Sequence, residues 1–293
     1  MNLTLPANPS SCRTLPDAEF SRLKKTYPAL WQDPRKTCPL CKKTGSFRAQ
    51  LSGEIVTYDC SCVEQWKLHL WLLSAGIGHH YQKIAWHNLT RASEKALAGA
   101  RDYLKTQGYD NGMGLTLWSP NRGTGKTSLG TLVMKYVMSQ GIDCYSIQFS
   151  QMLDAFTAGW RSEEERAWYS RRIRNAGVLF VDEIGKEYQG AKTVVDGAQE
   201  ITGSRSRFAE TMVGSLLRER VAHDAPTIIG TNYTPAQIET GYGSDLVELL
   251  TESNIAVECS GPNYRPTFLA EKIEQTTQGL VQPFTIGLEQ LSS

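Results

Sequence analysis

Two rhythms of apolar positions run through this chain. Short, nearly unbroken apolar stretches recur at 115–118 (LTLW), 144–149 (CYSIQF), 178–181 (VLFV) and 226–230 (PTIIG). Each is too short for a helix, and Gly, Pro or polar residues punctuate the intervals, which predicts strands buried on both faces, as in a parallel sheet. Between them the period changes to three and four. Helices are expected over 93–107, over 126–139 with Gly141 closing it, and after Ser150, a cap for Met152, Leu153 and Phe156. Strands alternating with helices predict an α/β fold with a parallel sheet between helices.

The first part of the chain reads differently. Residues 1–15 are polar and expected to be loose, and a short helix starts at Asp17 on Phe20, Leu23 and Tyr27, stopping at Pro28. Residues 54–58 alternate as a strand does. A helix over 63–75 carries Val63, Trp66, Leu70 and Leu73, widened by Trp71 and Leu72, until Gly76 and Gly78 end it. That face is broader than a small module needs, so it lies on the next domain or docks a partner. The expected domains are 1–78, 79–267, and a tail 268–293 with one short helix at 269–275.

A length of 293 residues suits one large or two modest domains. The formal charge of +1 excludes a globally basic nucleic-acid binder, so any DNA contact is local. No apolar run reaches the roughly 18 residues of a membrane span, and the N-terminus lacks the pattern of a signal peptide; the expected location is cytoplasmic.

Cysteine usage adds a metal. Cys38 and Cys41 form a C-x-x-C knuckle, and Cys60 and Cys62 a C-x-C pair beyond the 54–58 strand. Two close pairs converging on one tetrahedral centre predict structural Zn2+ bound by four thiolates, which a segment this small needs for stability. The competing readings are four buried thiols or a redox pair. His69, His79, His80 and His87 lie nearby and are not needed as ligands. Cys144 and Cys259 are expected to be packing residues, and Cys12 is too isolated to assign.

Between the first buried strand and the helix beginning at Lys126 lies SPNRGTGKTS. Strand, glycine loop, helix is the order a phosphate-binding loop needs. Gly123 and Gly125 permit positive φ, so backbone N–H groups point inward at a polyphosphate, and the helix adds its positive end. The expected nucleotide-binding residues are Asn121, Arg122, Gly123, Thr124, Gly125, Lys126, Thr127 and Ser128, with Lys126 on the β/γ-phosphates and Thr127 on Mg2+. Pro120 stands where the motif has Gly; it has no N–H to give, but the cradle is built from later residues. The strand 178–181 then delivers Asp182, for Mg2+, and Glu183, which polarises the attacking water. Asn232, after 226–231, emerges at the same sheet edge, where its amide orients that water. In 157–177, Arg161, Arg166, Arg171, Arg172 and Arg174 mix with Trp160, Trp168 and Tyr169. This suits single-stranded nucleic acid, or equally a solvated helix whose ion pairs use Glu163, Glu164 and Glu165.

NRGTGKTS, VLFVDEIG, PTIIGTN and the late NYRP resemble the AAA+ ATPases of the DnaC/DnaI helicase-loader group and the related IstB transposition ATPases, over roughly residues 80–267. The resemblance implies Walker A at Lys126 and Thr127, Walker B at Asp182 and Glu183, sensor I at Asn232, and a nucleotide-reading arginine at Arg265. It also implies an AAA+ P-loop NTPase preceded by a small zinc-binding module. It further implies that this module grips a replicative hexameric helicase of the DnaB type, and that ATP-driven self-assembly into a ring or spiral surrounds single-stranded DNA. The implied function is loading of that helicase during replication initiation. The alternatives are an IstB-like regulator of transposition acting on duplex DNA and a non-hydrolysing ATP-binding adaptor. The family places a trans-acting arginine finger shortly before the last strand, yet residues 242–258 contain no Arg or Lys. Either hydrolysis is slow, or Arg218 or Arg220 substitutes. Residues 186–207, with Gly190, Gly197 and Gly203, form a loop of unusual length or an insertion, in which Ser204 to Arg207 are expected to reach DNA.

Overall fold

The computed structural model describes residues 16–26, 38, 41–51, 54–89, 93–156, 162–185, 193–195, 198–200 and 204–278. The chain forms two compact units, one running to Ala85 and taking up the chain again from Gln275, the other Trp86–Glu274.

In the first unit, α1 (Asp17–Thr26) buries Leu23 and packs on α2 (Ser61–Ser74). Between them in sequence, β1 (Ser46–Leu51) and β2 (Glu54–Asp59) pair antiparallel, from Ser46 opposite Asp59 to Leu51 opposite Glu54. β1 is the strand that the alternation at 54–58 needed as a partner. α2 is buried almost all round, through Trp66, Leu68, Leu70, Trp71, Leu72 and Leu73. The unit also takes in α3 (His79–Gln82), past the expected boundary at 78. Gln82 is fully buried, its Oε1 2.7 Å from His69 Nδ1 and its amide donating to Ile77 O at 2.8 Å. His69 is thus a core residue.

The second unit runs α4 (Glu94–Lys105), β3 (Gly114–Trp118), α5 (Lys126–Ser139), β4 (Cys144–Gln148), α6 (Phe149–Phe156), α7 (Glu163–Asn175), β5 (Val178–Ile184), β6 (Thr193–Val195), β7 (Ala198–Glu200), α8 (Ser204–Val221), β8 (Thr227–Thr231), α9 (Pro235–Tyr242), α10 (Ser244–Ser253), β9 (Asn254–Glu258) and, up to Glu274, α11 (Arg265–Thr277). Five strands form one sheet in the order β4-β5-β8-β3-β9, all parallel. The three central strands are the continuous apolar runs, buried on both faces as a parallel sheet requires. One face meets α5, where Gly130 lets the Phe180 ring approach closer than any Cβ allows. Leu179, Val181 and Ile229 face the other way into a core completed by Met152, Ile173, Val213, Leu216, Ile238 and Leu246. The sheet therefore lies between two helical layers.

Three expectations change. Ser150 does not cap α6, which already starts at Phe149. Part of 186–207 is the hairpin β6–β7, and Ser204 opens α8; Gly190, Gly197 and Gly203 lie outside the described residues, as do residues 1–15, Cys12, Trp160 and Arg161. Helix α11 begins at Arg265, ahead of the expected 269, with Pro266 in its first turn, where a missing N–H costs nothing. Among the described residues, no helix is long and apolar enough to cross a membrane.

Candidate nucleotide-hydrolysis site and thiol cluster

The turn between β3 and α5 bends through Gly123 at φ 74° and Gly125 at φ 90°. Both are left-handed, so the loop's N–H groups lead into the N-terminus of α5. Lys126 is buried, and its ammonium donates to Asn121 O at 2.9 Å and Thr124 Oγ1 at 3.3 Å. These are neutral acceptors that a phosphate oxygen outcompetes. Burial lowers the ammonium's pKa; Cys259 and Asp182 act against that, and Arg265 adds to it. Asn121 and Arg122 are exposed, Thr124 is buried, and Thr127 and Ser128 are half-buried.

The second half of the site comes from β5, which pairs with β8 one strand away from β3. Thr127 Oγ1 donates to Asp182 Oδ2 at 2.7 Å, joining residues 55 apart in sequence. A hydroxyl and a carboxylate so placed are a hard-oxygen pair for Mg2+. The other oxygen, Oδ1, accepts the Glu183 N–H at 2.9 Å. Burial raises the Asp182 pKa, partly offset by these two hydrogen bonds. The pairing of β5 with β8 slips between Val181 and Ile184, and Glu183 takes φ 62° there, left-handed and costly by about 1 kcal/mol for a residue with a Cβ. Asp182 and Glu183 therefore lie within the strand, whose end is bulged. Asn232 directly follows β8, whose Thr231 carbonyl accepts the Ser119 N–H at 3.2 Å.

The chain after β9 crosses the loop. Cys259 N–H donates to Trp118 O at 2.8 Å, and Tyr264 N–H donates to Gly123 O at 3.0 Å. The Asn263 side chain rests on Gly123 so closely that a Cβ there would overlap it, and its Oδ1 accepts the Arg265 N–H at 3.1 Å. The start of α11 is thereby tied to the loop, with the Arg265 charge felt at Lys126.

Arg220 is not available as an arginine finger. It is 2% exposed, and its guanidinium donates to Thr227 Oγ1 (2.9 Å), Ile173 O (3.2 Å), Arg174 O (3.1 Å), Ala176 O (3.0 Å) and Pro226 O (2.9 Å). It caps the carbonyl end of α7. Burial pulls its pKa down to about 10, still charged at neutral pH. Arg218 is exposed and 3.3 Å from Asp245. The basic-aromatic stretch is largely occupied within the fold. Arg172 pairs with Asp143 at 2.6 Å and lies over Tyr145, Arg174 pairs with Glu219, and Trp168 and Tyr169 pack on the core. Arg166 and Arg171 remain exposed.

The Sγ atoms of Cys38, Cys41, Cys60 and Cys62 all lie within 4.8 Å of one another, with Cys38–Cys60 and Cys41–Cys62 each at 3.5 Å. A tetrahedral Zn(Cys)4 site has sulfur–sulfur edges of about 3.8 Å, so the donor set fits zinc. For Cys41, burial works to raise the pKa, but a backbone hydrogen bond at Gly45 and the thiols of Cys62 and Cys38 outweigh it and hold the value near 6. Burial and the neighbouring thiols push Cys62 up. Four thiolates this close repel one another, so they ionise together only against a cation. Cys144 and Cys259 are buried away from this cluster, as expected of packing residues.

The sequence reading missed Gly230, where a Cβ would overlap the Asp182 carboxylate, and Asn263. Glycine inside an apolar strand is a signal of close approach, and PTIIG carried it. No protein-family model and no curated protein matches the chain. Its structure is similar to a crystal structure of the DnaC helicase loader (20% identity, 56% of this chain and 88% of that one, TM-score 0.42) and to one of DnaI (16%, 64% and 94%, TM-score 0.45). It is also similar to AMPPCP-bound DnaA from Aquifex aeolicus (15%, 63% and 53%, TM-score 0.42), about half of whose length it spans. The order β4-β5-β8-β3-β9, with the glycine loop after β3 and the paired acids at the end of β5, is an α/β fold with a parallel sheet arranged as in P-loop proteins.

Proposed function

We propose that this protein is an ATPase that loads a replicative hexameric helicase onto single-stranded DNA, with the thiol-cluster unit as its grip on the helicase. The observation that carries the hydrolytic half is the 2.7 Å bond between Thr127 and Asp182, which brings the glycine loop and the acidic strand end together as a shared Mg2+ would require. Mg2+ held there would neutralise phosphate charge; Lys126 binds the phosphates, Glu183 takes the proton of the attacking water, and Asn232 orients that water. Arg265, on the strap across the loop, suits a reader of the nucleotide state. Support for the loader half is the motif resemblance together with a four-cysteine unit ahead of the ATPase. ATP favours the assembled, DNA-holding state, and hydrolysis releases the helicase.

A non-hydrolysing adaptor is favoured by one observation: with Arg220 locked in the core, no finger is evident among the described residues of 242–258 or in that pair's other member, Arg218, which faces Asp245. Light scattering after size exclusion tests the loader reading, using the host helicase with ATP and Mg2+ and comparing the full chain with one beginning at Trp86. A defined complex of the full chain alone supports it. No complex, with stable assembly on duplex DNA instead, refutes it in favour of a transposition regulator. Complex formation without phosphate release, even with DNA present, identifies the adaptor.

A further inference from the structure

We infer that Thr231 is the positioning residue that holds the two halves of the nucleotide site in register, an inference that rests on the ATPase reading. Thr231 is completely buried at the end of β8, and its polar atoms reach three elements. Its carbonyl accepts the N–H of Ser119, the first residue after β3, at 3.2 Å. Its hydroxyl donates to Ile184 O, at the end of β5, at 2.9 Å, and accepts the Tyr233 N–H at 3.1 Å.

Each contact stands next to a functional group. Ser119 Oγ accepts the Asn121 N–H at 3.2 Å, and Asn121 O accepts the Lys126 ammonium at 2.9 Å. Ile184 follows Glu183, whose left-handed backbone sits in the bulge of β5. Tyr233 follows Asn232, and its ring lies on Gly185 so tightly that a Cβ there would overlap it. One hydroxyl thus joins the strand end bearing the water-activating carboxylate to the loop bearing the water-orienting amide, while the same residue's backbone anchors the entry to the phosphate loop. Valine has nearly the same shape but neither gives nor accepts a hydrogen bond, so the bulged strand end loses its anchor and the loop amide its acceptor. A buried hydroxyl that only satisfies its neighbours predicts lost stability and nothing more. A positioning hydroxyl predicts lost turnover with nucleotide affinity kept.

The test uses the full chain with Thr231→Val and Thr231→Ser. Binding of a fluorescent ATP analogue with Mg2+, phosphate release across ATP concentrations and amide hydrogen exchange over 183–185 and 232–234 are measured, with rates taken per nucleotide-binding molecule. The valine variant is expected to bind within about twofold of the parent while kcat falls about tenfold or more, the scale of a small misplacement of reacting groups. Serine restores most of the rate, and only valine quickens exchange at Tyr233 and Gly185. Unchanged kcat, a loss confined to affinity, or serine no better than valine overturns the inference. If the parent releases no phosphate, the ATPase reading fails by itself and exchange decides: quickening in both loops for valine alone upholds the clamp, and unaltered exchange overturns it.

Discussion

Replacing Arg220 with methionine separates a structural arginine from a catalytic one. Methionine fills most of the stem's volume, so little cavity forms, but it donates nothing to the carbonyls now held by the guanidinium. Pro226 O keeps a second donor in the Leu179 N–H, whereas Ile173 O, Arg174 O and Ala176 O lose the partner described for them. Three stranded carbonyls at about 1 kcal/mol each, with about 0.5–1 kcal/mol for a cation at the negative end of α7, come to about 4 kcal/mol. Relief from burying a charge returns part of this, leaving about 2–3 kcal/mol. For a unit of this size that lowers the melting temperature by roughly 5–10 °C. Thermal unfolding of the nucleotide-free full chain measures it, with Arg220→Lys as a companion that keeps the charge without the planar fork and recovers only part. Melting within about 2 °C of the parent, coupled to lost hydrolysis, would refute the capping role and return Arg220 to the list of fingers.

Asp182→Asn is expected to raise the melting temperature of nucleotide-free protein at pH 7.5. Because burial raises this carboxyl's pKa in the folded state, its charged form costs stability above the raised value, and the advantage of Asn vanishes as pH falls below the ordinary carboxylate range of about 4; a gain that grows toward acid would contradict this. Gly230→Ala pushes a Cβ into the Asp182 carboxylate and should cost about 1–3 kcal/mol while weakening Mg2+-dependent nucleotide binding more than Mg2+-free binding; equal effects on both would break the link to Asp182. Elemental analysis should find one zinc per chain, and its removal by chelator with thiol reagent, or Cys41→Ser, should unfold the hairpin and α2 while α5 and the sheet stay protected from hydrogen exchange. A metal-free chain with α2 fully protected would sink the zinc assignment.

The elements of the proposed nucleotide site were legible where residue type and position coincide. GTGKTS needs its glycines for backbone angle, and VLFVDE needs its apolar run to be buried before its acids can emerge at the sheet edge. What escaped were roles set by neighbours far along the chain. Arg220 in SLLRERV reads as helix surface, since nothing local reports that the end of α7 would close over it. Trp168, Tyr169, Arg172 and Arg174 have a nucleic-acid-binding composition, yet tertiary packing claimed most of them. The hairpin β6–β7 lies in polar, glycine-spaced sequence that carries no strand rhythm. Thr231 was visible only as the residue before Asn232, because its meaning comes from Ser119 and Ile184.

The strand order also sets a timetable for folding. β3 has neighbours on both sides, β8 and β9, which pair with it at Ile228 and Asn254, so the strand that launches the phosphate loop is made early and finds its partners last. Such long-range parallel pairing is slow and leaves apolar strands uncovered while it waits. The four thiols, by contrast, are complete once Cys62 has been made, and the hairpin beside them pairs locally. In a chain growing from its N-terminus, the four thiols and their hairpin can come together before any of the five strands of the parallel sheet has been made, and Asn263 to Arg265 settle onto Gly123 only when the sheet beneath them is finished.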